Sequence, residues 1–189
     1  MVEIPPIHAT SATSRGTLMA AIVEAQRQGG SDVGAEHILL ALAADRRTPV
    51  AALLAAHGLD HEGILEALRV ERERSLAAVG MTEPPDAARL AASRTISRPR
   101  WGASAQDAFR YANEGASRAG RQGRHGTTVE DVLYGILSLE LGTVPRALAY
   151  VGIDRGALRA IVMSQAGIAA GPVSWRDRGR PRHDRFHIR

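Results

Sequence analysis

The 189-residue chain contains no cysteine and no lysine. The first absence excludes disulfides, thiolate metal sites and a cysteine nucleophile, and leaves the redox compartment open. The second excludes a Walker A motif, whose lysine must reach the phosphates of a bound nucleotide. Aromatic residues make up only 4% of the chain, and runs of Val, Ile, Thr or Tyr are few, while Ala and Leu abound. Such a composition favours packed helices over sheet, and an all-α fold is predicted. There is no run of about 18 apolar residues of the kind a membrane span requires. The opening MVEIPPIHATSATSR lacks both a charged segment and an apolar core of signal-peptide type, so the expectation is a soluble, cytoplasmic protein.

All 24 basic residues are arginine, and the formal net charge is +4. Residues 172 to 189 (PVSWRDRGRPRHDRFHIR) hold six Arg against two Asp, which accounts for that whole excess. The remaining chain is formally neutral, with both signs scattered as on a solvated helical surface. A nucleic-acid-binding body is therefore not expected. The Arg-rich tail alone supports a rival reading, a nucleic-acid-associated regulator whose DNA binding would be steeply salt-dependent.

Shifting the sequence by 94 positions aligns EHILLALAADRRTPVAALLAAHGLDHEGILEAL (36 to 68) with EDVLYGILSLELGTVPRALAYVGIDRGALRAIV (130 to 162) without a gap. Glu36/Glu130, Leu39/Leu133, Val50/Val144, Leu54/Leu148, Ala55/Ala149, Gly58/Gly152 and Asp60/Asp154 are identical. An ungapped register that keeps Gly-x-Asp in place indicates duplication. Each copy reads as four helices. In the first these run from about Thr13 to Arg27, from Ala35 to Ala44, from Thr48-Pro49 to Gly58, and onward from an Asp60 N-cap. In the second they span Ala105 to Ala119, Val129 to Leu139, Val144 to Val151 and Arg155 to Ser164, with Thr128 and Asp131 forming a capping-box pattern. The organisation that follows is an extension over 1–9, a first repeat over 10–76, a linker over 77–100, a second repeat over 101–165 and a basic, disordered tail over 166–189.

VGAEHILLAL, then a Leu-Leu helix ending in Gly-Leu-Asp, resembles the repeat of the amino-terminal domain of Clp-type AAA+ unfoldases, closest to the ClpC and ClpA group. The second copy follows more loosely. WGASAQDAFRYANEGA (101 to 116) resembles the family's first helix, with Trp101 at its aromatic position and Gly102 where Thr is usual. The resemblance covers about residues 10 to 165. It implies a pseudo-twofold bundle of two four-helix repeats that binds substrates, peptides and adaptor proteins, with no catalysis and no cofactor of its own. No ATPase module fits after residue 165, so the resemblance is to a stand-alone Clp repeat protein, an accessory or competitor in Clp-dependent proteolysis.

Glu36-His37 invites a metal or acid/base reading. Adjacent helical residues diverge by about 100°, however, whereas convergent ligands need i, i+3 or i, i+4 spacing. His57 and His61 are four apart but straddle a presumed helix break, and the second copy has Asp131 where the first has His37. No metal or catalytic residue is predicted, and His37 is expected to be a local helix or packing residue. A first-turn Glu meets the positive end of the helix dipole, which alone accounts for Glu36 and Glu130. The family resemblance adds a second role: in ClpC proteins the matching glutamates bind the guanidinium of phosphoarginine, which makes Glu36 and Glu130 candidate ligand residues. Ser11 falls at the family's Thr in the first copy and joins them, whereas Gly102 lacks that hydroxyl in the second. The leucines at helical spacing are expected in the core, and Trp101 and Tyr111 against it.

Overall fold

The computed structural model describes residues 14–30, 32–81, 100–121 and 127–170. Ser11, the amino-terminal extension, most of the expected linker and residues 171–189 of the expected tail lie outside the described residues; the expected disorder does not begin at 166, because Ala166 ends the last helix and Ile168 is buried against the core. The first repeat comprises α1 (Ser14–Arg27), α2 (Ala35–Ala44), α3 (Pro49–Ala56) and α4 (His61–Ala78). The second comprises α5 (Ala103–Arg118), α6 (Val129–Leu137), α7 (Thr143–Tyr150) and α8 (Arg155–Ala166). The expected all-α architecture of two four-helix repeats is present. Helix ends differ from the expected ones by a residue or two, because the caps set them. Gly102 caps α5, the Ser138 hydroxyl donates to the Tyr134 carbonyl (2.8 Å) at the end of α6, and left-handed Gly167 closes α8.

Two helices form the centre, one per repeat. In α2 every residue from His37 to Ala43 is buried, and in α6 every residue from Asp131 to Leu137. A helix apolar all round belongs inside a bundle, and these two pack against each other. α1 covers α2, and α5 covers α6 through the small residues Ala105, Ala108 and Ala112. α4 of the first repeat then crosses to pack on α7 of the second, which ties the halves into one core.

The duplication extends to the capping atoms. Asp60 Oδ1 accepts from the Gly63 amide (2.8 Å) and Asp154 Oδ1 from the Ala157 amide (2.9 Å). Just before them, Gly58 (φ 72°) and Gly152 (φ 76°) close α3 and α7 in the left-handed conformation, and the Leu59 and Ile153 amides return to Leu54 and Leu148, each at 2.9 Å.

One element departs from a purely helical expectation. β1 (Asp32–Val33) and β2 (Arg100–Trp101) form a two-residue parallel ladder pairing Asp32 with Arg100 and Val33 with Trp101. Two residues are too short to show strand periodicity, so the ladder leaves no sequence signal. It sets the starts of α2 and α5 side by side. Among the described residues no helix is long and apolar enough to cross a membrane.

Candidate functional site

α2 begins at Gly34, which sits in extended conformation and has no side chain to cap the helix. Two other groups do that work. Ser104, in the first turn of α5, accepts the Ala35 amide on its hydroxyl oxygen at 3.1 Å, across 69 residues of sequence. His37 Nδ1 accepts the Gly34 amide at 2.9 Å. Because Nδ1 is the acceptor, the neutral imidazole carries its proton on Nε2. The ring is buried, and burial pushes its pKa below the ordinary 6.5, against an upward pull from Glu36 and Glu24.

The Glu36 side chain folds back over Gly34, where a Cβ would stand only 2.3 Å from Oε1. The side chain is 23% exposed, and the one titratable nitrogen within ion-pair distance among the described residues is His37 Nδ1, at 3.7 Å. It lines a cavity of about 500 Å³ between the repeats, opposite Arg72 and Ser75 of α4 and Thr143 and Arg146 of α7. Arg146 is engaged there: it donates to buried Glu71 through Nε (2.8 Å) and Nη2 (2.7 Å), and Ser75 Oγ donates to the same carboxylate (2.8 Å). Arg72 is exposed and has no ion-pair partner among the described residues. The cavity thus presents a carboxylate without a guanidinium partner on one wall and a free guanidinium on another.

In the second repeat the same helix start is built with other chemistry. Thr128 Oγ1 accepts the Asp131 amide (3.3 Å), and Asp131 Oδ2 accepts the Thr128 amide (2.9 Å). Asp131 is fully buried, with its second oxygen on the Arg121 guanidinium, which also donates to the Ala166 carbonyl at the end of α8. Glu130 occupies the first turn of α6, half-buried and with no hydrogen-bond or ion-pair partner among the described residues. It lines neither this cavity nor the one described next, and residues 122–126, which lead into α6, lie outside the described residues.

A wider cavity of about 840 Å³ opens beside the ladder, between Leu18 of α1 and Trp101, Gln106 and Phe109. Trp101 is half-buried, its ring edge-on to Phe109 with centroids 5.2 Å apart. His57 Nδ1 lies 2.9 Å from the Leu53 carbonyl and His61 Nε2 3.5 Å from Glu24, so these two rings serve different partners. Among the described residues no group of three His, Asp or Glu side chains is placed to hold a metal ion.

The sequence points to one glutamate per repeat, Glu36 and Glu130, with the second site the weaker for want of a hydroxyl at Gly102, and the structure gives the two different surroundings. Sequence reasoning missed Ser104, Glu71, Arg72 and Arg146. The last three follow from the crossing of α4 over α7, which no local spacing encodes, and Ser104 depends on the ladder. Nor did copy-by-copy pairing foresee that the second repeat would supply the α2 start: the Gly102 amide donates to the Val33 carbonyl (3.0 Å), one residue before Gly34.

The model of the Clp repeat (R) N-terminal domain family matches residues 10–97. No curated protein matches the chain. Among solved structures, the N-terminal domain of the caseinolytic protease associated chaperone ClpD from Arabidopsis thaliana is 19% identical, with a TM-score of 0.54, covering 83% of this chain and 95% of its own. A chain from a structural study of a malarial protein secretion system is likewise 19% identical over the same shares, with a TM-score of 0.53. At that identity the likeness shows the fold. The family match lies on residues 10–97, which hold the first repeat, and the fold of the described chain is that of solved Clp N-terminal domains.

Proposed function

We propose that this protein is a non-enzymatic receptor for proteins bearing an arginine derivative, arginine-phosphorylated proteins foremost, and that it acts as an accessory or competitor in Clp-dependent proteolysis. The observation that carries the reading is the Glu36 carboxylate, which faces the inter-repeat cavity with no guanidinium partner of its own. A planar guanidinium pairs with such a carboxylate through two parallel N–H···O bonds. An attached phosphate would find Arg72 and the hydroxyl of Thr143 on the other walls. Glu130 is the weaker candidate, since it lines neither cavity, and Ser11 would contribute a hydroxyl as the family resemblance implies. With no lysine, these 189 residues cannot build a Walker A site, so they would supply binding and not ATP hydrolysis.

Isothermal titration with phosphoarginine tests this. Glu36→Gln should weaken binding by about tenfold or more, the scale of one charge-assisted pair, with Glu130→Gln changing it less. Affinity unchanged in Glu36→Gln removes the site. Capture of neither a Clp ATPase nor arginine-phosphorylated proteins from extract counts against the accessory role.

A further inference from the structure

The two repeats hold their central helix starts with side chains of different acid-base chemistry. His37 and Asp131 stand at equivalent positions, and each accepts the amide of its N-cap residue at 2.9 Å. A carboxyl group retains an acceptor oxygen in either protonation state, whereas an imidazolium has two N–H donors and no acceptor. Protonating His37 would set Nδ1–H against the Gly34 N–H at a distance where one of them must leave. Glu36 Oε1, 3.7 Å from Nδ1, is a carboxylate acceptor within reach of the imidazolium N–H.

We propose that His37 is a proton-operated gate on the carboxylate site of the first repeat. The neutral imidazole holds the α2 start and leaves Glu36 open to a guanidinium, and the imidazolium releases the start and takes the Glu36 carboxylate as its own partner. This inference rests on the arginine-derivative reading of Glu36 and adds its regulation. The charged groups around the ring come from every wall: Glu24 of α1, Glu36 of α2, Asp32 of β1, Glu71 and Arg72 of α4 and Arg146 of α7. Glu71 is neutralised by Arg146, and Asp32 pairs with Arg100 at 3.2 Å. Glu24 is held by Arg27 at 2.9 Å and has His61 Nε2 of α4 at 3.5 Å from its other oxygen. Glu36 is therefore the acid whose partner choice responds to the imidazole. Coupling is reciprocal: a guanidinium bound to Glu36 removes the counter-charge of the imidazolium and makes His37 harder to protonate.

The test uses the full chain. The His37 ring and the Gly34 amide are followed by NMR from about pH 8 to about pH 4.5, spanning the range in which a lowered histidine titrates. The Gly34 amide resonance should move with the same midpoint as the ring, and phosphoarginine should shift that midpoint downward. Phosphoarginine affinity, measured rapidly at about pH 7.5 and about pH 5.5, should fall roughly tenfold in the wild type as a like charge appears beside the guanidinium. His37→Asn keeps an acceptor and cannot titrate at this position, so its loss of affinity over the same range should be clearly shallower than that of the wild type. A ring that stays neutral throughout, a Gly34 amide that ignores the titration, or an equally steep loss in His37→Asn would each overturn the gate. Absence of phosphoarginine binding at either pH would instead defeat the ligand reading, with the resonances of the unliganded protein still deciding whether His37 operates the cap.

Discussion

His37 and Asp131 are counterparts in an internal duplication, and each fills the same place in its helix start: the N-cap amide donates to His37 Nδ1 in one repeat and to Asp131 Oδ2 in the other, both at 2.9 Å. Around them the supports differ. Asp131 has Thr128 and Arg121, both of the second repeat, while the α2 start is completed by Ser104 from the other repeat. The second start is thus self-contained and the first depends on the docking of α5. In the first, the half-buried acid beside the cap also faces a cavity.

Stability should register the buried imidazole. The pKa of His37 in the folded state is lowered from 6.5, chiefly by burial, so the unfolded chain binds its proton first. Its contribution is then complete above pH 6.5, is lost progressively as pH falls through the lower folded value, and levels off beneath it. Urea unfolding of wild type and His37→Asn across this range should show the gap narrowing or reversing in acid. A constant gap would mean that His37 does not titrate differently in the two states.

Ser104→Ala removes the hydroxyl that takes the Ala35 amide. Loss of a capping acceptor costs about 1 kcal/mol, and a similar fall in unfolding free energy is expected. Because the bond joins the repeats, amide exchange should speed up at the start of α2 even though the substitution is in α5. Faster exchange confined to α5 would show that Ser104 supports only its own helix.

The sequence carried the repeat, the eight helices of the described residues and the Asp and Thr caps, because each is written in spacing of a few residues. Gly58-x-Asp60 and Gly152-x-Asp154 are local signals, and the structure realises both with the same hydrogen bonds. It also carried the helical role of His37. What it did not carry is the cavity. Arg72, Glu71 and Arg146 come together only when α4 crosses onto α7, and Ser104 reaches Ala35 only when the loops before α2 and α5 pair as a two-residue ladder. The difference between Glu36, on a cavity wall, and Glu130, on neither, is likewise a property of packing rather than of the first-turn position they share.

The Glu71–Arg146 pair should measure how firmly the repeats are tied. Glu71 is buried and receives two guanidinium nitrogens, whereas the Arg146 side chain is about half exposed, so screening discounts the interaction. A double-mutant cycle with Glu71→Gln and Arg146→Met is expected to give a coupling of about 1 kcal/mol. Glu71→Gln alone should be the milder change, because Gln still accepts from Ser75 and Arg146, while Arg146→Met strands a buried carboxylate. The reverse order would point to a carboxylate already compensated by other groups.

The Arg121–Asp131 pair makes a sharper case, since Asp131 has no exposure at all. Breaking a buried pair by removing one partner typically costs about 3 kcal/mol or more, because the remaining charge is left without its compensation. Arg121→Met should approach that loss, and it also leaves the Ala166 carbonyl without its donor at the end of α8. Adding Asp131→Asn to Arg121→Met removes the stranded charge while keeping an acceptor for the Thr128 amide, so the double variant should recover part of the stability lost in the single one. Denaturant unfolding of the three proteins decides it. A double variant no more stable than Arg121→Met would mean that Arg121 acts mainly by holding α8, and that Thr128 with its amide suffices to keep the Asp131 carboxylate buried.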